Sequence, residues 1–144
     1  EQLFAILAAD DYPLAQQGSV SFADLKDEKF ILLKGNFVHT QAFNQLARTA
    51  HIQANVLFNS SEPYGILSLI QQNRGIGFMV AHPAFTFPGV TALPITDDDQ
   101  PLFKVGFAYR KDLVLTDEQQ QIFNELLAAT KYGRPDHRIP PLEE

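Results

Sequence analysis

Polar side chains follow two short apolar runs of this sequence, at the points where the runs end. Lys34, Asn36, His39 and Thr40 come after the run 30–33, and Ser60 and Ser61 come after the run 56–58. Each group precedes a predicted helix, whose unpaired N–H groups attract carboxylates and phosphates. If the runs are parallel strands, these loops and the loop 81–87 share the sheet edge where ligands of open α/β folds bind. The spacing predicts an anion-binding edge, unless Thr40 and Ser61 only cap their helices and the others face water.

The spacing of histidine, serine and acidic residues gives little support to a metal site or a catalytic site. Four histidines, His39, His51, His82 and His137, lack the i, i+4 spacing of a metal motif, and no carboxylate stands at a suitable spacing among them. A hydrolytic triad of Ser60 or Ser61 with His82 and the acidic run 97–99 lacks a nucleophile elbow. We therefore expect no metal, no cofactor and no catalytic residue, and we interpret the run 97–99 as a solvated turn. The chain has no cysteine, which excludes a thiol nucleophile.

Helix boundary signals follow both loops. Thr40 can cap a helix over 41–51, whose apolar residues form one stripe. Ser61 or Glu62 can cap a second helix, and Gly75 is positioned to end it because glycine adopts positive φ easily. The glycines of 75–80 run from helix into strand, which is the wrong direction for a phosphate-binding loop. We interpret them as a helix stop and as sites of close packing.

Two capping boxes predict further helical segments. Ser21 and Asp24 bracket a single helical turn that delivers Leu25 to the core. Thr116 and Gln119 begin a helix that reaches residue 130.

Apolar runs alternate with the helices. The runs 30–33, 56–58 and 76–81, with the two helices between them, predict a βαβαβ unit of parallel strands. The run 3–9 predicts another strand, and 90–95 predicts an edge strand because Pro94 cannot donate to a ladder. Alternation over 103–109 predicts a strand with one buried face. We expect 131–144, which contain several prolines, to be a poorly ordered tail.

Composition limits the classes of function. The 144 residues are 45% hydrophobic, which fits one compact globular domain. A formal net charge of −6 with scattered basic residues argues against a nucleic-acid-binding surface within this chain. No apolar run reaches membrane-spanning length, and no basic segment typical of a signal peptide precedes the first run.

Four stretches together resemble the effector-binding domain of LysR-type transcriptional regulators. They are Asp11 to Ala15, which has tyrosine where the family usually has histidine; Val20 to Leu32, a short turn leading into a strand; Ile70 to Val80, a helix, glycine and strand; and Gly106 to Phe123, a returning strand and capped helix. The four occur in the family's order over most of the chain.

The resemblance implies an α/β fold with two lobes of the periplasmic-binding-protein-like type II class. A small effector is held between the lobes, which are joined by crossing strands. On that map 1–18 hold the first crossover strand and linker, and 19–95 form the second lobe. Residues 96–130 return to the first lobe as a strand and C-terminal helix, and 131–144 form the tail. The helix-turn-helix domain and most of the first lobe would lie outside these 144 residues.

The resemblance also implies a binding site. The family's effector contacts fall on the loop 34–40, on Ser60-Ser61 and near 78–80, which overlaps the sheet edge predicted above. The candidate effector-binding residues are Lys34, Gly35, Asn36, His39, Thr40, Ser60, Ser61, Phe78 and Met79.

The implied partners follow from the same family. They are a small organic effector, expected to be anionic, and a second copy of the chain. In the family two such domains pair side by side, and the helix and strand of one second lobe pack on the first lobe of the partner. Here the second-lobe elements would be 41–51 and 55–59, and their usual partner would lie in the first-lobe segment outside these 144 residues. DNA would be bound only through the helix-turn-helix domain, and the expected location is the cytoplasm, without membrane contact.

Two other classes share this scaffold. A solute-binding lobe of an exported transport protein would be marked by a signal peptide or lipobox cysteine upstream. An enzyme would be marked by a cluster of titratable cleft residues with shifted pKa values, and the sequence offers no clear one.

Overall fold

A five-stranded mixed sheet organises the first of two compact units. The computed structural model describes residues 3–81, 87–104, 106, 110 and 114–129. The chain divides into the units Glu1–Lys104 and Val105–Glu144. The strands of the first unit are β1 (Phe4–Ala9), β2 (Lys29–Leu33), β3 (Asn55–Ser60), β4 (Ile76–Val80) and β5 (Val90–Pro94).

The sheet has the order β3-β2-β4-β1-β5. β2 pairs in parallel with both β3 and β4, which confirms the predicted βαβαβ unit. β1 runs antiparallel between β4 and β5, and β5 lies at the edge that Pro94 predicts. β1, which the sequence map places in the crossover segment 1–18, is a fully buried strand of this sheet.

Two helices, α1 (Val38–Thr49) and α2 (Pro63–Gln71), cover opposite faces of this sheet. Phe30 and Leu32 of β2 pack in one core cluster with α1, while Ile31 and Leu33 pack in a second cluster with α2. Successive strand residues point to opposite faces, so β2 is apolar throughout because both of its faces are buried.

Aromatic rings fill the cluster beneath α1. Phe4, Phe22, Phe30, Phe43 and Phe78 are each under 2% exposed. The Phe4 and Phe78 rings stack with centroids 4.8 Å apart, and Phe30 meets Phe43 edge-on at 4.8 Å. Such pairs add specific geometry to the burial of apolar area.

A cross-chain bond holds the short helical turn that brings Phe22 and Leu25 to this core. The 3₁₀ helix Phe22–Leu25 has no side-chain cap at Ser21, so the predicted capping box is wrong. Instead, the Phe22 N–H donates to Asp97 Oδ2 at 2.8 Å. Asp97 is thus a half-buried acceptor for a turn distant in sequence, and the interpretation of 97–99 as a purely solvated turn is corrected.

The caps predicted for α1 and α2 are also wrong. α1 begins after Phe37, which makes Thr40 the third helical residue rather than the cap. α2 begins after Glu62 with no side-chain cap, and Pro63 occupies its first position as a residue without an N–H can. The Glu62 N–H donates instead to Ser60 Oγ at 2.9 Å.

The end of α2 uses asparagine where glycine is predicted. Asn73 has φ of 57°, and two N–H bonds form a Schellman motif there: Asn73 to the Ile70 carbonyl at 2.9 Å, and Arg74 to the Leu69 carbonyl at 3.1 Å. Gly75 therefore does not end the helix. It is required because a Cβ there would lie 2.5 Å from the Lys29 carbonyl oxygen.

The second unit contributes one described helix, α3 (Asp117–Ala129). Its predicted capping box is confirmed, because the Thr116 N–H donates to Gln119 Oε1 at 3.0 Å and the Gln119 N–H donates to Thr116 Oγ1 at 3.3 Å. Most of the strand predicted over 103–109 and the tail 131–144 lie outside the described residues. No described helix is long and apolar enough to cross a membrane.

Candidate functional site

The structure brings together the two loops that the sequence analysis singles out. The Lys34 N–H, just after β2, donates at 3.0 Å to the carbonyl of Ser60, the last residue of β3. This bond extends the parallel pairing of the two strands and sets their loops side by side. The third loop, over 81–87, is mostly outside the described residues.

Thr40 fastens the first of these loops to the sheet. Its hydroxyl lies 2.6 Å from the Leu33 carbonyl oxygen and 2.9 Å from that of Lys34. The side chain is 8% exposed, and its proton is used on the strand end. Thr40 therefore holds the loop in place rather than offering a donor to a ligand.

The loop itself presents a cation and free backbone groups. Lys34, Gly35 and Asn36 are exposed, and a bond from the Phe37 N–H to the Lys34 carbonyl at 3.0 Å closes the turn. Within the described part of the chain the Lys34 ammonium has no ion-pair partner. At the start of α1 the N–H groups of Thr40 and Gln41 donate to the Phe37 carbonyl at 3.1 and 3.3 Å, which leaves those of Val38 and His39 as the donors open to a ligand. Charge and donors thus favour an anion here.

His39 lies in the first turn of α1 among aromatic rings. Its ring centroid is 5.7 Å from that of Phe4 and 5.5 Å from that of Phe103. Burial lowers the pKa of His39 below its usual value, so the imidazole is uncharged at pH 7. Its ring nitrogens have no hydrogen-bond partner among the described residues.

The loop after β3 is a weaker anion site. Ser60 Oγ accepts the Glu62 N–H, and Ser61 is exposed. Glu62 occupies the N-cap position of α2, where its carboxylate opposes a bound anion. The electrostatics therefore favour the α1 side of the edge.

The two candidate residues on β4, Phe78 and Met79, differ in how far they are buried. Phe78 is 1% exposed and stacks on Phe4, so its ring supports the core. Met79 is partly buried and packs with the cluster beneath α2. The assignment of Phe78 as an effector contact therefore stays a prediction, beside its observed place in the core.

Phe4 and Phe103 are the residues near this site that sequence reasoning missed. Both surround His39, and their own centroids are 6.1 Å apart. They belong to segments far apart in the sequence, and no local pattern joins them to the loop after β2. Only the position of β1 within the sheet brings Phe4 there.

A separate cavity of about 490 Å³ lies at the opposite end of the parallel strands, near the start of β2. Tyr12 borders it, and its hydroxyl donates to Glu28 Oε2 at 2.6 Å. This bond and partial burial raise the pKa of Tyr12 to about 12. None of the candidate site residues lines this cavity. Across the described residues, no group of three or more His, Cys, Asp or Glu side chains is arranged to hold a metal ion.

Sequence comparison identifies the class of domain that this fold and site define. Residues 1–131 match the LysR substrate binding domain family, and the chain belongs to that family. It is thus an effector-sensing regulatory domain with the periplasmic-binding-protein-like fold.

A curated relative and two solved structures agree with this assignment. The malolactic fermentation system transcriptional activator of Lactococcus lactis is 32% identical over 129 residues, which cover 89% of this chain and 44% of that protein. The regulatory domain of Synechocystis CcmR, solved with 2-PG, superposes with a TM-score of 0.73 at 21% identity, covering 91% of this chain and 64% of that one. The effector-binding domain of QuiR, solved with shikimate, superposes with a TM-score of 0.65 at 17% identity. That match covers 89% of this chain and 61% of the QuiR chain.

These likenesses concern only part of each curated relative. The chain spans less than half the length of the curated relatives it matches. The matches are with regulators, so the exported solute-binding lobe and the enzyme gain no support from them.

Proposed function

We propose that this chain senses a small organic anion at the loop Lys34–Thr40 and that it belongs to a longer transcriptional regulator. Lys34 supplies the charge, the N–H groups at the start of α1 supply donors, and Thr40 holds the loop. Gly35 lets the backbone approach the ligand, while Asn36, Ser60, Ser61 and Met79 border it. The observation that carries the proposal is the Lys34 ammonium, which has no ion-pair partner among the described residues and lies beside a helix N-terminus at the carboxyl edge of β2.

The relatives support this choice of ligand class. One structural neighbour was solved with shikimate, which is a carboxylate, and another with 2-PG. We infer that the present chain takes a ligand of comparable size and negative charge. The ligand acts as a signal and is not chemically changed, since the described site lacks a nucleophile activated by a neighbouring base.

The remaining parts of the regulator follow from the same proposal. DNA is bound by a helix-turn-helix domain outside these 144 residues, because this chain carries a net charge of −6. The regulator works in the cytoplasm, where its DNA is.

Replacing Lys34 by alanine tests the site. We expect Lys34→Ala to weaken binding of small acids about tenfold, equivalent to about 1.5 kcal/mol, because one charge-assisted contact is lost at an exposed position. The measurement is a chemical-shift titration of the 144-residue chain with acetate, lactate, malate, shikimate and inorganic phosphate.

Lys29 provides the matched control. It is an exposed lysine at the other end of β2, so Lys29→Ala changes the net charge equally but lies away from the loop. Lys29→Ala should bind these acids like the parent. Equal weakening by the two variants would mean that only overall charge matters, and the site assignment would be wrong.

We further propose that a second copy of the chain packs on the outer side of β3. β3 is an edge strand with three exposed apolar residues, Val56 at 38%, Leu57 at 52% and Phe58 at 50%. An apolar strand edge of this kind readily pairs with another chain. The groove between α1 and β3, lined by Phe43, Ala47 and Ile52, continues the same surface.

Sedimentation velocity tests this assembly. The parent chain should self-associate, and Phe58→Lys should shift it towards the monomer because a charge at a strand edge opposes pairing. Tyr64→Lys is the control, since Tyr64 is an exposed aromatic residue on α2. A parent chain that stays a monodisperse monomer at high concentration would refute the proposal.

A further inference from the structure

The cavity of about 490 Å³ at the start of β2 lies at the other end of the parallel strands from Lys34. Separate segments of the chain line it: the turn after β1, the residues that enter β2, the edge strand β3, and the loop between α2 and β4. Its volume is within the range of small-molecule sites in proteins. The chemistry of its walls indicates which small molecule fits.

Charged side chains of both signs line this cavity. Asp27 and Glu28 supply two carboxylates, and Lys29 and Arg74 supply two cations. None of the four forms an ion pair among the described residues. The formal charge of the lining is therefore zero, while positive and negative groups are both open to a ligand.

Hydrogen bonds hold parts of the wall in place. The Tyr12 hydroxyl donates to Glu28 Oε2 at 2.6 Å, which fixes that carboxylate and leaves its second oxygen as an acceptor. The Asn73 side-chain amide donates to Asp11 Oδ1 at 2.8 Å. Arg74 follows Asn73 directly, and its own N–H belongs to the Schellman motif that ends α2. The backbone that carries the guanidinium is thus held at both residues.

A β-bulge directs one apolar residue to the same cavity. Phe30 pairs with Val56 and Ile31 pairs with Phe58, so Leu57 is an extra residue of β3 without a partner on β2. Its side chain lines the cavity and is 52% exposed. Bulges are common at sheet edges and next to active sites, where they re-aim a side chain. Leu57 therefore adds an apolar contact beside the charged groups.

A zwitterion fits these walls better than an ion of one sign. A simple acid would be repelled by Asp27 and Glu28, and a simple amine would be repelled by Lys29 and Arg74. A ligand with both charges can place its ammonium against the two carboxylates. Its own carboxylate can meet the guanidinium, which bonds such groups through two parallel N–H donors and does so better than a lysine ammonium.

We propose that this cavity is a second ligand site and that it binds a free amino acid with an apolar side chain. The α-carboxylate pairs with Arg74, the α-ammonium pairs with Asp27 and Glu28, and the side chain packs on Leu57. This site goes beyond the proposed anion site and does not depend on it, because the two lie at opposite ends of β2.

Leucine and two blocked derivatives of it test the proposal. In a chemical-shift titration of the 144-residue chain, leucine should shift the signals of residues 12, 27–29, 57 and 73–75. N-acetylleucine lacks the ammonium, and leucinamide lacks the carboxylate. Each should bind at least about tenfold more weakly than leucine, because each loses one charge-assisted contact.

Two exposed side chains allow these contacts to be removed one at a time. Arg74→Gln should bring leucine and leucinamide to about equal affinity, while leucine stays preferred over N-acetylleucine. Asp27→Asn should reduce the preference over N-acetylleucine and leave the preference over leucinamide. Each affinity ratio is measured on one protein sample, so a change in stability affects both compounds equally.

Arg48→Gln is the matched control, since it removes an exposed arginine near the end of α1 with the same change in charge. It and Lys34→Ala should bind all three compounds like the parent. The inference is wrong if leucine gives no saturable shifts up to its solubility, or if the shifts fall on the loop Lys34–Thr40. It is also wrong if the three compounds bind equally, or if Arg74→Gln behaves like Arg48→Gln. None of these results decides the proposed anion site, which is tested separately with small acids.

Discussion

Replacing Phe78 by alanine is expected to destabilise the first unit by about 3 to 5 kcal/mol, the range for truncating a buried phenylalanine. Its ring stacks on Phe4 at 4.8 Å and meets Phe43 and Phe22 edge-on at 5.6 and 6.2 Å. These neighbours lie on β1, on α1 and on the 3₁₀ helix Phe22–Leu25, so the cavity left behind cannot collapse without moving several elements. Urea unfolding followed by circular dichroism measures the change.

Tyr64→Ala is the control for this experiment. Tyr64 is 76% exposed on α2, and its truncation should change the free energy of unfolding by less than about 0.5 kcal/mol. Phe78→Leu should fall between the two variants because it retains part of the apolar volume. A loss below about 1 kcal/mol for Phe78→Ala would contradict the described core.

Gly75→Ala is expected to cost about 3 kcal/mol, the upper end of the range for overpacking. The added Cβ would lie 2.5 Å from the Lys29 carbonyl oxygen and 3.3 Å from Ile31 Cγ1. The oxygen belongs to the backbone of β2, which cannot retreat without disturbing the pairing of Phe30 with Ile76. The measurement is again the free energy of unfolding in urea.

Gly35→Ala is the matched glycine. It lies in the turn after β2, and a Cβ there would meet nothing within 4 Å. The substitution should therefore be nearly neutral for stability, within about 0.5 kcal/mol. Equal effects of the two substitutions would show that loss of glycine flexibility, and not the close approach of Lys29, determines the cost.

The sequence predicts those features that depend on neighbouring residues. The capping box of Thr116 and Gln119 is confirmed because both partners lie within one helical turn. The strands of the βαβαβ unit are likewise recognisable, since an uninterrupted apolar run such as 30–33 is typical of a strand covered on both faces.

Features that depend on distant residues could not be predicted in this way. Thr40 bonds to the end of β2 rather than to its own helix terminus. The helical turn at Phe22 is held by Asp97, which follows β5 and lies 75 residues further along the chain. Thr40 and Ser21 are both residue types that commonly cap helices. The bonds that form at these two positions depend instead on neighbours in space, the end of β2 and Asp97, which a local sequence pattern does not reveal.

The candidate site likewise has one part that the sequence predicts and one part that it does not. Lys34 and Ser60 meet as the parallel-strand argument predicts, because the ends of paired parallel strands share one edge. The aromatic surroundings of His39 come from Phe4 and Phe103, and no spacing in the sequence relates these three residues.

The place of β1 in the sheet also governs the order in which the fold can assemble. β1 is the first of the five strands to be synthesised, yet Phe4 pairs with Val80 and Ala5 pairs with Pro94, both near the end of the unit. Closing such long segments costs chain entropy before any pairing compensates for it, which slows folding. During translation the apolar segment FAILAA must therefore remain without its strand partners until β4 and β5 have emerged.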